Sequence, residues 1–154
     1  GYKLNISKNK ENRVQTIFSL SDKKKDQYKE RIDKAFKHLE LYSVSNIKMA
    51  YRDFFDCLKF IIGNYKLYKS KANIKVGLYY NNDLLNVDET DDLDELTSYL
   101  RNKEIKLYAK LNHTDRVKLK IVQKLNKIDF KKSWKQRKTF SLSLNRLKDL
   151  ETWL

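Results

Sequence analysis

The sequence predicts a mainly helical α+β protein, a single compact domain built around a long core helix with a small β-sheet beside it. Three observations lead there. Between 45 and 68, Ile47, Tyr51, Phe54, Leu58, Ile61, Tyr65 and Tyr68 recur at alternating spacings of four and three, the apolar stripe of an amphipathic helix. Two short stretches, Arg13 to Ser21 and Ile74 to Tyr80, carry instead the β-branched and aromatic residues of strands. The chain has no proline and only three glycines, so flexible Gly- or Pro-rich linkers are absent. A chain of 154 residues buries roughly 70% of its unfolded surface as one domain, and seven Phe, ten Tyr and two Trp supply apolar area for that core.

Residues 1–12 are polar and read as a basic N-terminal arm ahead of the domain at 13–154. In the first strand, Val14, Thr16, Phe18 and Leu20 alternate with Gln15, Ile17 and Ser19. Ser21 is an N-cap, with Asp22 in the first turn where the helix dipole favours it, and the helix over about 22–41 buries Tyr28, Ile32, Ala35, Phe36 and Leu39. The long helix begins near Ser45 and runs to about Tyr68, with Gly63 inside it at a cost of about 1 kcal/mol relative to Ala. After the 74–80 strand, an acidic loop leads into a short helix at about 91–101. Glu104 to Leu111 reads as a strand pairing with 74–80. Thr114 and Asp115 start a helix to about 128 that buries Val117, Ile121, Leu125 and Ile128, and Ser143 caps a last helix that buries Leu147, Leu150 and Leu154. Hinges are expected at 69–73 and at 81–92, the latter a possible sub-boundary. The polar opening at Gly1 and the apolar end at Trp153 and Leu154 suggest a docked final helix or a domain excised from a longer protein.

Charge narrows the function. Lys and Arg exceed Asp and Glu by 14, and the isoelectric point is near 9.7. Arg116 to Lys138 concentrates the excess, with ten cations in twenty-three positions against the single acid Asp129. Arg116, Lys118, Lys120, Lys124 and Lys127 belong to the predicted 114–128 helix. Lys131, Lys132, Lys135, Arg137 and Lys138 follow, with Phe130 and Trp134 among them. Cations neutralise phosphates and release counterions, and aromatic rings stack on exposed bases at ~1–3 kcal/mol each, so this segment predicts a nucleic-acid site, with Phe130 expected in the core and Trp134 open to either role. The expected partner is DNA ahead of RNA. The Lys-, Asn- and Ile-rich composition of an AT-rich coding sequence points to a regulatory module of a phage, plasmid or other mobile element.

Other constellations are weaker. Arg13 to Phe55 resembles a ribbon-helix-helix module in its order of strand, capped helix, turn and second helix, which implies that Gln15, Ile17 and Ser19 enter a DNA groove from a ribbon shared by a dimer. Lys24 and Lys25, where apolar first-turn residues belong, depart from that pattern, as does Ile17 as a base contact. Asp83 followed by Glu104-Ile105-Lys106 sketches a magnesium-dependent nuclease, which needs the two acids on adjoining strands. Seven acids between Asp83 and Glu95 lack the glycine and the glutamate spacing of a calcium loop. They offer a surface for a protein partner, the competing function class being an inhibitor of a host nucleic-acid enzyme, or an intramolecular cover for the basic segment. His38 and His113 stand far apart, and Gly-rich phosphate loops are missing, so no metal, cofactor or catalytic residue is predicted. Cys57 is alone, which with the absence of a secretory leader suggests an intracellular, cytoplasmic setting. The most apolar stretch, 54–67, is broken by Asp56, Lys59 and Lys66, so no membrane span is expected.

Overall fold

Caps set the helix starts. Ser21 accepts the Lys24 N–H at 3.3 Å and opens α1 (Asp22–Tyr42), Asn46 accepts the Met49 N–H at 3.1 Å and opens α2 (Ile47–Ile62), and Ser143 accepts the Arg146 N–H at 3.2 Å and opens α6 (Leu144–Trp153). Between them lie α3 (Asp92–Lys110), α4 (Asp115–Leu125) and α5 (Phe130–Gln136). The structure, a computed structural model, describes residues 1–66 and 75–154 and is 58% helical. No helix among the described residues is long and apolar enough to cross a membrane.

The strands are short. β1 (Tyr2–Lys8) and β2 (Val14–Leu20) form an antiparallel hairpin in the register Tyr2 to Leu20 and Lys8 to Val14. Residues 1–12 are thus not an arm. Tyr2, Leu4 and Ile6 alternate with Lys3, Asn5 and Ser7, a period-two signal obscured by the surrounding polar residues. The Asn9 carboxamide oxygen fixes the turn by accepting the Glu11 and Arg13 N–H groups. The second edge of β2 is closed by side chains: Asn86 accepts the Phe18 N–H at 2.6 Å and Asp92 accepts the Leu20 N–H at 2.7 Å. With both edges occupied, β2 has no free edge for a second copy. Ser19 is buried and Gln15 and Ile17 are half-buried, so the ribbon implied by the ribbon-helix-helix resemblance is not formed.

The second sheet has the order β4 (Lys75–Gly77), β3 (Asn64–Lys66), β5 (Thr139–Phe140), with β3 antiparallel to β4 and parallel to β5. It explains why α2 stops at Ile62 rather than near 68. A Cβ on Gly63 would sit 2.5 Å from the Lys59 carbonyl and 2.6 Å from the Phe140 ring, so the backbone leaves the helix where only hydrogen fits. Gly77, at φ 134°, turns the chain beside it. Tyr68, Ile74 and the expected hinge at 69–73 lie outside the described residues.

The Glu104–Leu111 strand is also corrected. Leu93, Leu96, Leu100, Glu104 and Leu107 all fall on the buried face of α3, and this helical spacing carries the helix through to Lys110, while Ile105, which made the segment look alternating, is 71% exposed. The partner of the 75–77 strand, β4, is β3 instead. The stretch around 81–92 is tethered: Leu85 and Val87 are buried, and Asn82 donates to the Tyr28 hydroxyl at 3.0 Å and the Leu78 carbonyl at 2.6 Å.

The core lies where α1 packs against α2 and α3, with α4 packed on α3, around the fully buried Ile32, Leu39, Phe54, Ile61, Leu100 and Ile121. Burial pushes the Cys57 thiol up to about 12, so it is an inert core residue. Two arginines tie the helices together. The Arg146 guanidinium donates to Asp53 at 2.6 Å and to Asp56 at 2.8 Å and lies over the Trp153 ring, which packs against His38. Arg101 on α3 donates to the carbonyls of Leu125, Asn126 and Ile128, closing the C-terminal end of α4.

Arg146→Ala removes the closest counter-ion of the buried Asp53 and the half-buried Asp56, leaving Arg52 at 3.5 Å and Lys59 at 3.9 Å, and is expected to cost about 3 kcal/mol. The readout is a lower urea midpoint at unchanged slope, and a wild-type midpoint contradicts the clamp. Glu104 is buried, and that burial raises its carboxyl pKa against the opposing pull of Arg101. A carboxyl raised in the folded state contributes stability below its unfolded pKa and loses it as pH rises through the folded value. Glu104→Gln is therefore expected to raise the thermal midpoint at neutral pH and to lose that advantage in acid, whereas an equal shift at both pH values rules this origin out.

Candidate functional site

Helix α2 exposes a second stripe beside its core face. Spacing places Lys48, Tyr51, Arg52, Phe55, Lys59 and Ile62 on one side of the helix, so cations and rings share a face. On α4, Arg116, Lys120 and Lys124 stand at i, i+4 and i+8, all exposed, along one flank of the buried row Ile121 and Leu125. Tyr51, Arg52, Phe55, Lys59 and Ile62 of the first stripe and Lys124 of the second line one groove, which β5 closes with Phe140.

The groove has a volume of about 430 Å³. Tyr51, Phe55, Ile62, Ile128 and Phe140 give it an apolar lining, and Arg52, Lys59, Lys124 and Lys127 give it four cations. The Lys124 ammonium lies 4.3 Å from the Phe55 ring centre and 5.1 Å from that of Tyr51, while those of Lys59 and Lys138 lie 5.4 and 5.6 Å from Phe140. Asp56 is the one carboxylate among the described lining residues, and Arg146 binds it. The groove thus presents a net positive charge over aromatic faces, a combination that suits an anion carrying a flat apolar group.

The rest of the predicted basic segment divides. Lys135 pairs with Asp88 at 2.7 Å and Lys131 with Asp94 at 3.6 Å. The hydrogen bond and charge of Lys135 hold the Asp88 carboxyl below its ordinary range. Lys118 lies 5.0 Å over the Tyr108 ring and Arg137, at φ 49°, lies 4.3 Å over that of Tyr79. Arg116, Lys120 and Lys132 are exposed, and no carboxylate pairs with them among the described residues. Asp129, the one acid of the segment, is the N-cap of α5 and accepts the Lys132 N–H at 2.8 Å. Phe130 is core at 1% exposure. The Trp134 indole N–H donates to the Asn82 carbonyl at 3.0 Å and its ring packs edge-on to Tyr79, which commits it to the fold.

Most of the acidic block holds helices together. Glu95 binds Lys25 at 3.0 Å and Lys29 at 2.7 Å, bonds that lower its carboxyl pKa, and Asp92 holds β2 and approaches Lys25 at 3.6 Å. Asp83 lies exposed in the loop before α3, whereas Glu104 is buried on α3, so these acids do not share the adjoining strands that the nuclease arrangement needs. Among the described residues no three His, Cys, Asp or Glu side chains gather to hold a metal ion.

Of the residues predicted from sequence, Lys124 and Lys127 line the groove, Lys138 faces its Phe140 wall, and Arg116 and Lys120 extend along α4. Tyr51, Arg52, Phe55, Lys59 and Phe140 were not anticipated. A signal for four of them existed in the repeat of ring and cation along one side of α2, but it merges with the core stripe that defines the helix. Comparison of the chain with protein-family models, with curated proteins and with solved structures finds no match in any of the three.

Proposed function

We propose that this protein is a nucleic-acid-binding module whose contact surface is the groove between α2, α4 and β5 together with the exposed cationic stripe of α4. The observation that carries the reading is the charge balance of the groove: among its described lining residues four are cations and one, Asp56, is a carboxylate, which Arg146 binds. Arg116 and Lys120 extend the same charge outward, giving six cations that a phosphate backbone can follow. A protein-interaction role through the acidic loop has less support, since Asp88, Asp92, Asp94 and Glu95 are engaged by lysines of this chain.

Six phosphate contacts give a log–log slope of affinity against salt of roughly −5 on duplex DNA and −4 on a single strand. Reversing Lys124 and Lys127 to Glu is expected to weaken binding at least ten-fold and to flatten the slope by about 2. Lys131→Gln with Lys135→Gln removes charges already paired with Asp94 and Asp88 and is expected to change affinity less than three-fold. A salt slope near zero rejects the proposal, and equal losses from the two pairs move the contact surface onto α5.

A further inference from the structure

We infer that the groove takes an unpaired nucleobase, so that the substrate class is single-stranded nucleic acid rather than duplex. This deepens the nucleic-acid reading above and rests on it. The shape argument comes first. A recess of about 430 Å³ falls within the roughly 300–1,000 Å³ of pockets that receive small organic groups, and its lining is aromatic and aliphatic. A duplex keeps the faces of its bases stacked inside and offers phosphates and base edges, so it would touch the cationic rim and leave the faces of Tyr51 and Phe140 with no base to stack on. A single strand can turn a base inward and keep its phosphates at the rim.

The positions of the charges agree. Lys124 and Lys127 border the groove from the α4 side, and Arg52 and Lys59 border it from α2, so cations flank the apolar lining on two sides. That pattern fits a strand lying along the groove with sugar and phosphate on the rim and a base against the rings, where stacking tolerates any base because every base has a π-face. The ammonium groups of Lys124 and Lys59 lie over the rings in the free protein, and their flexible stems let them move to phosphates when a base takes their place. Tyr51 and Phe140 are half-exposed and can meet a base, whereas Phe55, at 7% exposure, forms the floor.

The test measures binding of equal-length single-stranded and duplex DNA, and of single-stranded RNA, at one salt concentration, with a nucleoside monophosphate as competitor. Wild type is expected to bind the single strands at least ten-fold tighter than the duplex. Tyr51→Leu and Phe140→Leu, which keep apolar bulk and remove the π-face, are each expected to weaken single-strand binding about ten-fold and leave duplex binding unchanged. Equal affinity for duplex and single strand with silent aromatic variants, while Lys124→Glu with Lys127→Glu still abolishes binding, overturns base insertion and leaves the nucleic-acid reading in place. Displacement of the strand by an equimolar mononucleotide overturns the polynucleotide assignment in favour of a free nucleotide. Absence of binding to every polynucleotide removes both readings. Should Phe140→Leu fail to fold because its ring packs against Gly63, Tyr51→Leu on the exposed side of α2 decides alone.

Discussion

Helix α2 meets different surroundings around its circumference, and the placing of the groove depends on how that helix is held. Its row Phe54, Cys57, Leu58 and Ile61 is sealed in the core, and its acids Asp53 and Asp56 are gripped by Arg146 of α6. Only the side carrying Tyr51, Arg52, Phe55 and Lys59 opens toward the groove. A helix fixed from the core and from α6 cannot roll to bury its rings, so aromatic surface stays available beside lysines. The close approach at Gly63 completes the arrangement, because it ends α2 and brings Phe140 against its last turn.

Charge is distributed unequally by the same fold. Lys25, Lys29, Lys131 and Lys135 are matched by acids of the 88–95 stretch, and these pairs join α1 and α5 to α3 and the loop before it. Exposed pairs of this kind contribute little stability each, yet they remove much of the long-range attraction of that side for a polyanion. Among the described lining residues of the groove only Asp56 is acidic, bound by Arg146 and 3.9 Å from Lys59, while Asp53 beside it lies 3.5 Å from Arg52.

Local signals in the sequence were legible where they act locally. Ser21 and Ser143 mark helix starts because a hydroxyl reaches an N–H three residues on, and the four-and-three spacing on α2 follows from helix geometry alone. The end of α2 was not legible, since Tyr65 continues the helical spacing and the ring crowding Gly63 comes from the distant Phe140. Residues 104–111 misled because EIKLYAKL fits either period, and the buried Leu96 and Leu100 upstream decide for helix. At the site, Lys124 and Lys127 could be named from charge density. The pairing of Lys135 with Asp88 across 47 residues could not, nor could the meeting of Tyr51 with Lys124 across the α2–α4 interface.

The most direct measurement of the central claim is a residue-resolved NMR titration of the protein with a short single-stranded oligonucleotide. Amide shifts are predicted to concentrate at Tyr51–Ile62, Lys124–Ile128 and Phe140, while Lys131–Gln136 and the hairpin Tyr2–Leu20 stay unperturbed. Shifts centred on α5 or the hairpin, with none in the groove, would contradict the account.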